Sequence, residues 1–183
     1  MINKLENKIR LDELKPEETL KKIGFKDNMI LCDFGAGTGV FSFAASKISS
    51  GNIYAIDISD GMIELLNNRV ENYKVKNVLP IKVNSDVLPL ENESCDMILM
   101  ATVLHEIENK EEIIKEFIRI LKNDGKLAII EFHKKVTPMG PPVDHRISEN
   151  DVDDLLSNNS FKILDKISLG SNFYLNLYGL SNK

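Results

Sequence analysis

The stretch from Met29 to Val40 constrains this chain more than any other. Met29-Ile30-Leu31-Cys32-Asp33-Phe34 is an apolar run with one acid near its end, long enough for a strand buried on both faces. Gly35-x-Gly37-x-Gly39 follows, and residues 40–48 then read as a helix. Strand, glycine turn and helix in that order make the nucleotide-binding half of an α/β unit. Glycine serves there because backbone passes close to a ligand, where a Cβ would collide. The helix behind it offers free N–H groups and the positive end of its dipole. The dinucleotide fingerprint G-x-G-x-x-G would place its third glycine at position 40, where this chain has Val40.

The remaining chain keeps alternating. Pro16 opens a short helix with acids in its first turn and lysines in its last, and Gly24 stops it. Residues 53–57 read as a second buried strand, and Ser59 caps the helix bearing Met62, Ile63, Leu65, Leu66 and Val70. Residues 78–83 make a third strand, at an edge because of Pro80. Residues 95–100 make a fourth. Asn109-Lys110-Glu111-Glu112 has the form of a capping box, and the helix after it presents Ile113, Ile114, Phe117, Ile118 and Leu121. Asn123-Asp124-Gly125 turns into a fifth strand over 127–132. A proline-rich loop, a helix capped by Ser148 and two strands joined by Gly170-Ser171-Asn172 complete the chain. So short a turn makes the last pair an antiparallel hairpin.

Composition narrows the function classes. The 183 residues suit one α/β domain with a sizeable core. The net charge of −5 argues against a broad phosphate-binding face, so nucleic acid is not an expected partner. No apolar run approaches membrane-spanning length, and residues 1–6 lack the apolar core of a signal peptide. Cys32 and Cys95 fall in strands and read as buried thiols of a reducing compartment. A cytoplasmic protein is expected.

Gly35-x-Gly37-x-Gly39, preceded by Asp33 at the strand end, resembles the first motif of class I S-adenosylmethionine-dependent methyltransferases. The order of strands and helices from Pro16 to Leu180 is similar to that family's fold. The resemblance implies an α/β, Rossmann-like, seven-stranded and mostly parallel sheet, with helices on both faces and a C-terminal antiparallel hairpin. It implies one methyltransferase domain over 1–183, with an N-terminal helical cap at 1–24 and a substrate-side loop at 133–148. S-adenosylmethionine would be the cofactor and S-adenosylhomocysteine the product.

The resemblance also implies a cofactor site. Asp33, Gly35, Ala36, Gly37 and Gly39 would form its turn. Asp57, ending the second strand, can accept from both ribose hydroxyls of an adenosine. Ile58 and Met62 would flank the adenine ring, and Asp86-Val87 would meet its edge, since a carboxylate accepts from an exocyclic amine. Ala101 and Thr102, where the fourth strand runs out, would pass under the methionine end. All these segments fall on the C-terminal edge of a parallel sheet, where ligands bind in such folds.

All three histidines fall in segments on that edge: His105 after the fourth strand, His133 after the fifth, and His145 in the proline-rich loop. A neutral histidine near the transferred methyl can take a proton from a small-molecule acceptor. Glu106 and Glu131 lie near in sequence, but no close pair stands at ligand spacing, and no metal site is expected. Gly140-Pro141-Pro142-Val143-Asp144-His145-Arg146 is the least generic segment and is similar to loops in small methyltransferases related to those of ubiquinone and menaquinone biosynthesis. Prolines stiffen it, and Arg146 supplies a planar cation that either faces the acceptor with the three histidines or fastens the loop. Two rivals stand beside this reading. A nicotinamide-dependent oxidoreductase is disfavoured by the glycine spacing and the hairpin. A catalytically silent cofactor-binding or interaction protein of the same fold is disfavoured by the intact cofactor motifs.

Overall fold

The alternation of buried strand and amphipathic helix builds one continuous sheet. The computed structural model describes residues 2–84 and 87–181. Its strands are β1 (Leu31–Phe34), β2 (Ile53–Asp57), β3 (Val78–Lys82), β4 (Cys95–Ala101), β5 (Leu121–Phe132), β6 (Phe161–Leu169) and β7 (Phe173–Leu180). They lie in the order β3-β2-β1-β4-β5-β7-β6. The first five pair in parallel, and β7 inserts antiparallel between β5 and β6. Pro80 sits on the edge strand β3 as expected, opposite Ala55.

Side chains alternate across the sheet, so each strand feeds two cores. Leu31, Met97, Leu99, Ala128 and Ile130 pack with Leu20 of α3 (Pro16–Lys22), Phe41 of α4 (Val40–Ser46) and Leu66 of α5 (Asp60–Tyr73). Cys32, Ile98, Met100, Leu127 and Ile129 face α6 (Lys110–Ile120) and α7 (Glu149–Ser157). From α6 alone, Ile113, Ile114, Phe117 and Ile120 are buried, each contributing roughly 1.5–3 kcal/mol by leaving water. Ser59 and Ser148 cap their helices, Ser148 in a full capping box with Asp151. Among the described residues no helix is long and apolar enough to cross a membrane.

Residues 1–14, expected as part of a helical cap, contain two short helices, α1 (Ile2–Leu5) and α2 (Lys8–Leu14), ahead of α3. Two local expectations change. Asn109 makes no side-chain cap; the neighbouring Lys110 Nζ reaches back to the Ile107 carbonyl instead. Asn123-Asp124-Gly125 is not a turn before β5 but a bulge within it. Leu121 pairs with Cys95 and Lys126 with Met97, so five steps on β5 match two on β4. The surplus residues bow out without ending the strand.

Candidate active site

The glycine turn is stitched to β2. Gly35 N–H and Ala36 N–H both donate to the Ile56 carbonyl, at 2.8 and 2.9 Å. Gly35 has φ +72°, and a Cβ there would stand 2.4 Å from Val103 Cγ2. Gly39, at φ +81°, would drive a Cβ to 2.6 Å from Leu66. Conformation and space both demand glycine at these two positions.

Asp57 is held beside that turn. Gly37 N–H donates to its Oδ2 at 2.8 Å and Ser59 N–H to its Oδ1 at 2.9 Å. Each carboxylate oxygen therefore keeps a further lone pair for a ligand hydroxyl. Asp33 lies buried behind the turn and accepts from the Ser42 hydroxyl. Burial pushes its carboxyl up to about 6 against the pull of that hydroxyl.

The end of β4 turns sharply. Thr102 takes φ +59° and donates its N–H to the Ile130 carbonyl at 2.7 Å. Positive φ at a β-branched residue is strained and is held only by such surroundings. The turn sets Val103 over Gly35 and delivers His105, on a single helical turn (Leu104–Glu106), to Glu131 of β5. Glu131 is 1% exposed. Its Oε2 lies 2.8 Å from His105 Nδ1, and its Oε1 accepts from the His105 backbone N–H at 3.2 Å. The Glu131 hydrogen bond raises the His105 pKa above the ordinary histidine value, against an opposing effect of burial.

A family model described as a methyltransferase domain matches residues 25–167. This chain belongs to the class I S-adenosylmethionine-dependent methyltransferases. It is 30% identical over 119 residues to a ubiquinone/menaquinone biosynthesis C-methyltransferase UbiE of Shewanella pealeana, covering 63% of this chain and 47% of that one. The chain thus spans about half the length of the curated relatives it matches. It is similar over 98% of its length, and 96% of the other's, to the crystal structure of a SAM-dependent methyltransferase from Aquifex aeolicus, with TM-score 0.93 and 29% identity. The fold is also that of the [4+2]-cyclase SpnF, at TM-score 0.81 and 16% identity over 93% of this chain and 81% of that one. The fold by itself therefore does not specify methyl transfer.

The other residues singled out in the sequence differ in their surroundings. Ile58 is 75% exposed, Met62 half-buried and Val87 exposed. Asp86 lies outside the described residues. His133 pairs with Glu149 at 3.0 Å and leans on the Tyr174 ring. The His145 side chain is 69% exposed, and its Nε2 lies 3.9 Å from the carboxylate of the adjacent Asp144. Neither has a bond to His105 or Glu131 among the described residues. Arg146 is turned into its own loop. It is 5% exposed and donates to the carbonyls of His133, Lys135, Met139 and Pro141 and to the Thr137 hydroxyl, all at 2.8–2.9 Å. Its guanidinium also stacks over Phe132. These are the contacts of the loop-fastening role.

A cavity of about 40 Å³ lies between the glycine turn, Asp33 and Ala101 on one side and the N-terminal helices on the other. Leu5, Arg10 and Leu14 close it. Sequence reasoning missed those three, and it considered Glu131 only as a neighbour for a metal. Glu131 did carry a signal, a charge inside the otherwise apolar run 127–132. Arg10, between Ile9 and Leu11 in a charged segment, carried none.

Proposed function

We propose that this protein transfers the methyl group of S-adenosylmethionine to a small-molecule acceptor and releases S-adenosylhomocysteine. The hydrogen bond from Gly37 N–H to Asp57, made by a turn that lines the same cavity as Ala101, carries the reading. The residues fit the cofactor. The glycine turn exposes backbone along the cavity while Val103 and Leu66 pack where a Cβ would stand, and Asp57 keeps one lone pair per oxygen for two ribose hydroxyls. Ile58 and Met62 would border the adenine, Asp86 and Val87 its edge, and Asp33, Ala101 and Thr102 the methionine end.

The bound cofactor supplies a sulfonium methyl, an electrophile already activated. The chain's task is then to hold the acceptor in line and to remove a proton where the acceptor arrives protonated. Positioning of this kind can supply up to roughly 7–11 kcal/mol of the barrier. His105 is the proposed base. Glu131 fixes its ring through Nδ1, which leaves Nε2 as the proton acceptor in the neutral form. The raised pKa makes that nitrogen the stronger base once it is free. His133 and His145 would border the acceptor from the 133–148 loop that Arg146 fastens.

The relative from Shewanella pealeana is named for C-methylation in ubiquinone and menaquinone biosynthesis. A hydroxylated aromatic of the quinol type is the acceptor class proposed here. Loss of a ring hydroxyl proton raises electron density on the ring carbons, and a buried histidine base suits that task. Calorimetry with S-adenosylhomocysteine and with NAD tests the cofactor half, with heat expected from the first alone. Heat from NAD and none from S-adenosylhomocysteine would overturn it. Incubation with methyl-labelled S-adenosylmethionine and a panel of naphthoquinols and benzoquinols tests the acceptor half. Label is expected in at least one quinol; label in none of them removes the class.

A further inference from the structure

Two buried arginines in this protein are treated differently. Arg146 is surrounded by five acceptors of its own loop. Arg10 is 8% exposed yet, among the described residues, has one hydrogen bond, from Nη2 to the Thr102 hydroxyl at 2.9 Å. Its guanidinium carbon stands 5.3 Å from the Phe173 ring and 5.9 Å from the Phe132 ring. The nearby acid is Glu131, but both Glu131 oxygens are committed to His105. Among the described residues Arg10 forms no ion pair. A buried guanidinium is costly unless its fork is filled, and its best complement is a planar carboxylate taken bidentately. Arg10 lines the same cavity as the glycine turn and Asp33. One cation and one acid thus face a single small space.

We propose that Arg10 binds the carboxylate of the cofactor's amino-acid end, with the N-terminal helices carrying it across the sheet edge for that purpose. The proposal rests on the cofactor reading above. An amino-acid end carries one negative and one positive group, and the cavity offers Arg10 to the first and Asp33 to the second. The two phenyl rings hold the guanidinium in place by cation–π contact without consuming its N–H groups. The neutral Thr102 hydroxyl is a weaker partner than a carboxylate. The fork therefore has a reason to turn to a ligand that brings one.

Calorimetry on the full chain with S-adenosylhomocysteine and with its decarboxylated analogue separates the outcomes. In the wild type, S-adenosylhomocysteine should bind at least tenfold more tightly than the analogue. Arg10→Gln should weaken S-adenosylhomocysteine ten- to hundredfold and change the analogue by less than twofold, so that the preference disappears. Arg10→Lys, which keeps the charge without the fork, should retain part of the preference, and it decides the matter if the glutamine variant does not fold. Equal losses for both ligands in the variants would make Arg10 a packing residue and overturn the proposal, as would an unchanged affinity for S-adenosylhomocysteine. A wild type that binds neither ligand would instead overturn the cofactor reading, and this proposal with it.

Discussion

Glu131 grips His105 at two points, the ring Nδ1 at 2.8 Å and the backbone N–H at 3.2 Å. One carboxylate thus sets both where the residue sits and how its ring is turned. The grip spans two adjacent parallel strands, β4 and β5, whose ends the sheet holds in register. A base fixed in this way needs no reorganisation when an acceptor arrives.

The pH dependence follows from that grip. The folded pKa of His105 is raised, so the pair's contribution to stability is complete below the unfolded histidine value, about 6.5. It is lost as pH rises through the higher folded value. Turnover should run the opposite way, because only the neutral ring accepts a proton, and should rise across the same interval. An NMR titration should place the His105 midpoint above 6.5, and Glu131→Gln should lower it. An unshifted midpoint in the variant would remove Glu131 from the role.

Asp57→Ala should do more than weaken the ligand. The substitution leaves Gly37 N–H and Ser59 N–H without their acceptor and removes the proposed charge-assisted bonds to the ribose, each worth about 1.5–3 kcal/mol. Affinity for S-adenosylhomocysteine should fall at least tenfold and the melting temperature should drop with it. Asp57→Asn, which keeps one oxygen, should lose less of both. Calorimetry and thermal melts on the two variants check this; equal affinities in all three proteins would exclude Asp57 from the site.

Arg146→Ala should act on stability rather than on the cofactor. Five hydrogen bonds of a buried side chain disappear together, and losses of such networks fall at the high end for single substitutions, about 2–4 kcal/mol. Chemical denaturation should show that loss while affinity for S-adenosylhomocysteine stays within twofold. A variant as stable as the wild type would mean that the loop is held by something else.

Gly35→Ala tests the contact between the turn and the β4 exit. The new Cβ would stand 2.4 Å from Val103 Cγ2, at a φ of +72°. Left-handed backbone costs a non-glycine residue roughly 1–2 kcal/mol, and the clash adds to it. Combining it with Val103→Ala should restore part of the lost stability by making room, while the backbone cost remains. Strict additivity in the double-mutant cycle would show that the two residues do not meet.

Much of this protein was legible in its sequence because the signals are local. Glycine at 35, 37 and 39 marks a backbone that must take left-handed angles. Pro80 marks an edge strand, and a three-residue turn at 170–172 marks a hairpin. Each is set within a few residues, by dihedral limits and by the alternation of side chains. The partners of buried charges were not legible, because they are chosen by packing between elements far apart in the chain. Arg10 meets Thr102 across 92 residues and His105 meets Glu131 across 26, and no local pattern encodes either distance. Arg146 shows the boundary most plainly. The sequence left it two roles, facing an acceptor or fastening a loop. The fold of 133–148 turned four carbonyls inward around it, and a buried guanidinium takes whatever acceptors satisfy it.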